Sequence, residues 1–392
     1  MVGAPLDDTG GTDSGVVKVF NSATGALLHV ITNPNPIRDA NFGSAVAISG
    51  TRLVIGAPHP YDLVTLGGAY VYDLTSATPT VPVVTLNNPS PTRDQFGSAV
   101  AISGTRVVIG TRAYLADSAL VGNAYVYDLA SAAPTLPAFT LSNSAAADSN
   151  YFGWSVGISG IRVVIGVAYD TVDSTGRVYL YDLAGTTPRV PTTTLVNPRR
   201  GGGDDFGESV AISGTWVAVG ARNSDSSVVD AGSAYVYDLS TATPTISAVT
   251  LNSPNPLGHQ YFGSAVAISE TRVVVGDPNR GVGFQGAGRV HVFDVASSTP
   301  GVPIETLNNP FPTSFAYFGS SVAISGTRVA VGAPKAESAY VYDVTSATPT
   351  VPLTRLNSAS PAAYDRFGRS VSISGTRVVI GAAYHGAEIG SA

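Results

Sequence analysis

The sequence lacks cysteine and is poor in charged residues. Without a cysteine among its 392 residues, the chain can form neither a disulfide nor a thiolate metal site, and it has no cysteine nucleophile. Only 12% of the residues are charged, whereas 44% are hydrophobic. This balance is typical of short buried strands joined by polar turns, and not of amphipathic helices or disorder.

Basic surfaces and long apolar segments are also missing. The net charge of -6 gives no positive surface for nucleic acid, so we expect no nucleic-acid partner. No segment approaches the roughly 18 consecutive apolar residues of a membrane-spanning helix. Met1 is followed by "VGAPLDD" rather than by a basic and then apolar leader. We therefore expect no membrane insertion, and any export signal to have been removed or to lie outside this sequence.

A repeated phrase fills most of the chain. "FGSAVAISGTRLVIGAP" begins at Phe42. Close variants of it begin at Phe96, Phe152, Phe206, Phe262, Phe318 and Phe367. Each unit has four short segments rich in β-branched and aromatic residues, separated by Gly, Pro, Asn and Ser, a pattern that predicts four strands joined by turns.

Seven units of four strands predict an all-β fold, a seven-bladed β-propeller with four antiparallel strands in each blade. A β-solenoid is the alternative, but its coils are usually much shorter than these units. We predict one domain over residues 1–392. The last blade begins at Phe367 and is completed by residues 1–41, so that N- and C-terminal strands close the ring.

The wording of the repeat resembles the FG-GAP repeats of integrin α-subunit heads and of many bacterial surface proteins. Phe42-Gly43 with Gly56-Ala57-Pro58, and Phe318-Gly319 with Gly332-Ala333-Pro334, carry both halves of the motif. The resemblance implies a propeller at the cell surface or outside the cell, although one fold can host many functions.

The resemblance does not extend to calcium. Calcium-binding members of the family carry an Asp- and Asn-rich loop between the first and second strands, whereas this chain has "SGTR" or a close variant there. Two acidic segments could supply oxygen ligands, "DDTGGTD" with Asp7, Asp8 and Asp13, and "NSDSSVVD" with Asn223, Asp225 and Asp230. Neither spaces its ligands as a known calcium loop does. We expect no metal site and no cofactor.

Two positions repeat in almost every unit. An arginine follows the first turn, as at Arg52, and an aspartate ends the third strand, as at Asp73. Both positions belong to one end of the blade. They predict Arg–Asp pairing or turn capping rather than a binding role.

The loops after the second strands differ most between units and predict a recognition surface. Arginine and aromatic residues on loops held by a rigid scaffold are typical of binding sites, with ordinary loop variation as the alternative. The candidates are His59, Tyr61, Arg112, Tyr114, Tyr169, Asp170, Arg222, Arg280, Tyr384 and His385.

The residue after Phe-Gly is the second variable position. It is serine in four units and Trp154, Glu208 or Arg369 in the other three. We predict that these three side chains lie at the mouth of the central channel. Packing between blades explains Trp154 equally well.

The favoured hypothesis is a non-catalytic, extracellular or cell-surface propeller that binds a protein or a glycan through the variable loops. The sequence has no Gly-x-Ser-x-Gly, phosphate-loop or dinucleotide motif, so an enzyme with a channel-mouth site ranks third. The second hypothesis is a subunit that assembles with copies of itself into a filament or surface layer. It is based on the low charge and on two similar end segments, "VGAPLDDTGGTDSG" and "IGAAYHGAEIGSA", which also suggest a chain trimmed from a longer one.

Overall fold

The fold is a ring of seven four-stranded antiparallel sheets, as predicted. It is seen in a computed structural model that describes residues 15–37, 40–59, 67–90, 94–112, 122–142, 151–168, 175–199, 202–226, 228–279, 286–357 and 366–382. These residues form 28 strands and one short 3-10 turn, Pro334–Ala336. The two end segments compared above lie outside the described residues.

The strands of each blade occupy four concentric positions. The first strands are β3 (Ala45–Ser49), β7 (Ala99–Ser103), β11 (Phe152–Ser159), β15 (Val210–Ser213), β19 (Val266–Ser269), β23 (Ser321–Ser325) and β27 (Phe367–Ser374). The second strands are β4 (Arg52–Ala57), β8 (Arg106–Gly110), β12 (Arg162–Val167), β16 (Trp216–Ala221), β20 (Arg272–Asp277), β24 (Arg328–Ala333) and β28 (Arg377–Ala382). The third strands are β1 (Val16–Asn21), β5 (Gly68–Asp73), β9 (Asn123–Asp128), β13 (Arg177–Asp182), β17 (Ser233–Asp238), β21 (Arg289–Asp294) and β25 (Ser338–Asp343). The fourth strands are β2 (Leu27–Thr32), β6 (Val84–Asn87), β10 (Phe139–Ser142), β14 (Thr193–Val196), β18 (Val249–Leu251), β22 (Glu305–Asn308) and β26 (Thr354–Asn357).

The first strands form the inner wall of the ring. Each one contacts the first strand of the next blade, and β27 contacts β3, so the series closes on itself. We number the blades 1 to 7 from β3 to β27. The upper face is the end of the ring where the Phe-Gly pairs lie, and the lower face is the end with the turns between first and second strands.

Blade 7 is built from both ends of the described chain, as predicted. Its strand order is β2-β1-β28-β27. The pairing of β1 with β28 is antiparallel and runs from Val16 opposite Ala382 to Asn21 opposite Arg377. Three strand pairings therefore hold the closing blade, the same number as in every other blade.

The conserved phrase of the repeat has a packing reason on the upper face. The phenylalanine of each Phe-Gly pair is fully buried. The glycine after it has a positive φ, +90° at Gly43, which suits the third position of a type II turn. A Cβ added to the glycine of the second strand would collide with the carbonyl oxygen of the next blade's Phe-Gly glycine, as for Gly220 with Gly263. Neighbouring blades thus meet glycine against glycine.

A closed circuit of hydrogen bonds joins the blades on the lower face. The serine that ends each first strand accepts a hydrogen bond from the backbone N–H that opens the equivalent turn of the next blade. One example is Ser159 Oγ with Gly214 N at 3.0 Å. The seven acceptors are Ser49, Ser103, Ser159, Ser213, Ser269, Ser325 and Ser374. The last bond, from Gly50 N to Ser374 Oγ, closes the circuit at 3.0 Å.

The repeated aspartate caps its own turn. In blade 1, Asp73 Oδ1 accepts hydrogen bonds from the backbone N–H of Thr75 at 2.9 Å and from its hydroxyl at 2.7 Å. These bonds lower the pKa of Asp73, and the bond from the Thr75 hydroxyl has the larger effect. Asn21, which replaces the aspartate in blade 7, accepts from Ala23 N and Thr24 N in the same way. The repeat of Asp and Asn is therefore explained by turn capping.

Candidate functional site

Seven Phe-Gly turns lie on the upper face, each with one variable residue before the phenylalanine and one after the glycine. In every Phe-Gly turn the residue after the glycine donates its N–H to the carbonyl of the residue before the phenylalanine, as Glu208 does to Asp205 at 3.0 Å. The residues before the phenylalanine are Asn41, Gln95, Tyr151, Asp205, Tyr261, Tyr317 and Arg366. The residues after the glycine are Ser44, Ser98, Trp154, Glu208, Ser264, Ser320 and Arg369. One backbone geometry thus carries six different pairs in seven blades, since only blades 5 and 6 share the pair Tyr and Ser.

Arg112 and Trp154 form a stacked pair at the mouth. Arg112 follows β8 of blade 2, and its guanidinium carbon lies 3.2 Å from the centre of the Trp154 ring in blade 3. Tyr151 meets the same tryptophan edge-on, with ring centres 5.3 Å apart. Both Arg112 and Trp154 are half-buried. The stack therefore fixes an arginine that would otherwise move freely on its loop.

An ion-paired cluster lies in blade 4. Arg222 Nε is 3.2 Å from Asp205 Oδ2, and its Nη1 is 2.8 Å from Glu208 Oε1. Asn223 donates a hydrogen bond from Nδ2 to Asp205 Oδ2 at 2.8 Å. The guanidinium of Arg222 also lies 5.9 Å from the centre of the Tyr261 ring in blade 5. Because the Arg222 side chain remains 41% exposed, it links the buried carboxylates to the surface.

Glu208 is the acidic centre of the site. Its side chain is only 13% exposed, and its Oε2 atom is buried with no hydrogen-bond partner among the described residues. Burial raises the pKa of Glu208 to about 7. Asp205 adds to the rise, while Arg222, Arg112 and Arg369 oppose it. The carboxyl group therefore changes protonation near neutral pH, in contact with its neighbours rather than with bulk water.

Three arginines from three blades act electrostatically on this carboxyl group, and Arg222 also contacts it. Burial, with the positive charges of Arg369 in blade 7 and Arg222 in blade 4, lowers the pKa of Arg112 to about 10, against the opposing effects of Glu208 and Tyr151. Arg112 remains protonated at neutral pH. Arg369 keeps access to solvent on the upper face, and the protein around its guanidinium lowers its pKa. The mouth thus brings like charges together, an arrangement that is costly unless an anion balances them.

The structure joins two groups of residues that sequence reasoning kept apart. Arg112 and Arg222, predicted on the variable loops, interact with Trp154, Glu208 and Arg369, predicted at the mouth. His59 is placed differently from a free loop side chain, since it is only 7% exposed. The other seven loop candidates all lie outside the described residues. They are Tyr61, Tyr114, Tyr169, Asp170, Arg280, Tyr384 and His385.

Sequence reasoning missed the residue before each phenylalanine. Asp205, Tyr151 and Tyr261 all contact the site through this position. The signal was available, because this position carries five different residue types in seven units. Its importance depends on the turn, which brings the first and fourth residues together across Phe-Gly.

The acidic segment weighed as a calcium ligand set is engaged in other contacts. Asp230 Oδ2 lies 2.8 Å from His259 Nδ1, Asp225 Oδ1 accepts a hydrogen bond from Asp230 N, and Asn223 binds Asp205. Within the described ranges no group of three His, Asp or Glu side chains is arranged to hold a metal ion. Asp7, Asp8 and Asp13 lie outside those ranges. No helix in the described part of the chain is long and apolar enough to cross a membrane.

Comparison with known proteins agrees with the repeat and the ring. The FG-GAP repeat family matches residues 31–72, 90–127, 194–237, 313–342 and 354–392. The chain is an FG-GAP repeat β-propeller. No curated protein matches this propeller.

Solved structures with the same fold are distant in sequence. Hsv2 of Kluyveromyces lactis superposes on this FG-GAP propeller with a TM-score of 0.51 at 11% identity, covering 84% of this chain and 85% of that one. Hsv2 of K. marxianus gives a TM-score of 0.50 at 10% identity, with 83% and 82% covered. At this identity the likeness concerns the fold alone.

Proposed function

We propose that this FG-GAP propeller is a non-catalytic recognition protein of the cell surface or extracellular space that binds a protein or a glycan through its upper face. The observation that carries the proposal is the convergence of Arg112, Trp154, Glu208 and Arg222 at the channel mouth. These side chains come from three blades, and the repeat itself requires none of them. A rigid scaffold that concentrates its differences at one place is typical of a binding site.

The two tryptophans of the chain give a matched test. Trp154 lies at the mouth, whereas Trp216 begins β16 on the lower face, and both are half-buried. Trp154→Ala and Trp216→Ala are compared with the unaltered protein on a glycan array and on immobilised extracellular proteins, after thermal unfolding shows that each is folded. We expect a bound ligand to be lost with Trp154→Ala and kept with Trp216→Ala. Equal retention by both variants would contradict the proposal.

Self-association is the second candidate function, and one feature of the lower face favours it. Six blades carry an aliphatic side chain that is more than half exposed, in the same turn before the fourth strand. These residues are Val81, Leu136, Val190, Ile246, Val302 and Val351. Repeated exposed apolar side chains favour contact with a second copy of the chain.

Light scattering over a concentration series tests this second candidate. Assemblies that grow with concentration, and that disappear in the double variant Leu136→Asp/Ile246→Asp, would support it. A monomer at every concentration would reject it.

A further inference from the structure

Five described side chains near the channel mouth have a net charge opposite in sign to that of the whole protein. Arg112, Arg222 and Arg369 interact with one another or with Glu208, and Asp205 is the second carboxylate in contact. These five groups have a net positive charge even with both carboxyl groups ionised, in a chain with a net charge of -6. A local field of this kind attracts anions and selects against cations.

Two arginines have the chemistry to bind a carboxylate. Arg112 is held on the face of Trp154, and Arg369 is exposed on the turn of blade 7. A guanidinium presents paired N–H donors that match the two oxygens of a carboxylate. Arg222 already donates from Nε and Nη1 to Asp205 and Glu208. Compared with Arg222, Arg112 and Arg369 are therefore more available to an incoming anion.

The aromatic rings around the charged groups suit a sugar. Tyr151 and Trp154 lie beside Arg112, and Tyr261 lies beside Arg222, and aromatic rings pack well against the C–H faces of pyranose rings. Tyr, Trp and Arg side chains also serve protein interfaces, so an acidic peptide is the competing ligand that the experiment has to exclude.

We propose, building on the recognition function above, that the channel mouth binds the carboxylate of a uronic acid unit in an acidic polysaccharide, with Arg112 and Arg369 as its partners and Trp154 as the support of Arg112. The ligand keeps its negative charge throughout the neutral range. The ionised carboxylate of Glu208, which also interacts electrostatically with Arg112 and Arg369, opposes the approach of this anion.

Binding should consequently strengthen as the pH falls through neutrality. The charged and titratable groups that act on Glu208 are Arg222 and Asp205 beside it and Arg112 and Arg369 across the mouth. When Glu208 takes up a proton, an internal negative charge disappears and the arginines are left for the ligand. Glu208→Gln should bind at pH 8 as tightly as the unaltered protein binds at pH 6.

Isothermal titration calorimetry with defined oligosaccharides tests the proposal. The probes are hexagalacturonate, neutral maltohexaose as the uncharged control, and hexaglutamate as the acidic peptide. The variants are Arg112→Gln and Arg369→Gln, with Arg106→Gln as the matched control. Arg106 begins the same strand that Arg112 follows, at the lower face.

The expected result separates the two faces. Hexagalacturonate binds and maltohexaose does not, and Arg112→Gln and Arg369→Gln each weaken binding about tenfold or more, as loss of a charge-assisted pair implies. Arg106→Gln changes the affinity by less than about twofold, because a distant surface charge is largely screened. Added salt weakens binding to the unaltered protein.

Three results would overturn the inference. They are equal binding of the neutral hexamer, an affinity unchanged in both upper-face arginine variants, and tighter binding of hexaglutamate, which would identify an acidic peptide as the ligand. If Trp154→Ala abolishes binding of another ligand while the arginine variants do not, the recognition function stands and the uronic acid assignment fails. New reducing ends in the hexagalacturonate sample would instead refute the non-catalytic proposal.

Discussion

The upper and lower faces of the ring are made from the same seven units and have diverged to different degrees. On the lower face every junction uses a serine hydroxyl and a backbone N–H, and the turns are capped by aspartate or asparagine. On the upper face the Phe-Gly turns share one hydrogen bond but carry serine, tryptophan, glutamate or arginine. The fold therefore constrains the backbone geometry of both faces, but it constrains the side chains of the lower face only.

Replacing glycines should give the largest difference in folding stability between the two faces. Blade 4 offers a matched pair of glycines for this test. A Cβ on Gly220 at the upper face would meet the carbonyl of Gly263, whereas a Cβ on Gly214 at the lower face would meet nothing within 4 Å. We expect Gly220→Ala to cost at least about 4 kcal/mol of folding free energy, because backbone cannot yield easily. Gly214→Ala should cost about 1–2 kcal/mol through its φ of +61° alone. Urea denaturation measures both, and equal losses would contradict the glycine-to-glycine junction.

Carboxyl groups on the two faces should change the folding stability in opposite directions as the pH rises. The folded pKa of Glu208 is raised from 4.5 to about 7, so between these values the folded protein holds a proton that the unfolded chain has lost. Stability from this group is therefore lost as pH rises through that interval. We expect Glu208→Gln to be more stable than the unaltered protein by up to about 3 kcal/mol at pH 8, and equally stable below about pH 4.5.

Asp238 on the lower face is the control for this titration. Its hydrogen bonds with Ser240 lower its pKa, so its contribution is present at neutral pH and lost as the pH falls through the folded pKa. Asp238→Ala should accordingly destabilise at pH 7 and have a smaller effect in acid. Denaturation curves for both variants at several pH values measure these stability changes. If the two variants showed the same dependence on pH, the raised pKa assigned to Glu208 would be wrong.

The lower-face hydrogen bonds should contribute equally to folding stability. Ser159→Ala removes a bond between consecutive blades, and Ser374→Ala removes the one that closes the ring. Because both donors are exposed to water after the change, each variant should lose only about 0.5–1 kcal/mol. Thermal unfolding of the two variants should give the same shift. A much larger loss for Ser374→Ala would mean that the closing junction is special.

Glu270 is the exception on the lower face and gives the smallest effect. It occupies the position of the turn glycine with a φ of +55°. Glu270→Gly should stabilise the ring by about 0.5 kcal/mol, the gain from relieved backbone strain less the cost of glycine's freedom in the unfolded chain. Gly326→Glu, at the equivalent place in blade 6, should do the reverse. Chemical denaturation would contradict this if Glu270→Gly proved destabilising.

The sequence contained most of the fold and about half of the site. Closure of the ring followed from the repeat, since the chain begins with third and fourth strands and ends with first and second ones. The pairing of Arg112 with Trp154 did not, because the repeat gives the position of each residue within its blade but not the direction in which a loop turns toward its neighbour. Asp205 was overlooked for a related reason. Its role depends on a turn that places it beside Glu208, three residues away.

The clasp of blade 7 has a mechanical consequence. Six of the lower-face bonds join residues 50 to 57 positions apart, while the seventh spans 324. Val16 and Ala382 lie opposite each other at one end of the β1–β28 ladder. A force that pulls these two residues apart acts on one pair at a time, as in opening a zipper, and never loads the whole ladder in shear. The ring should thus open at a lower force when it is pulled through Val16 and Ala382 than when it is pulled through strands of its other blades.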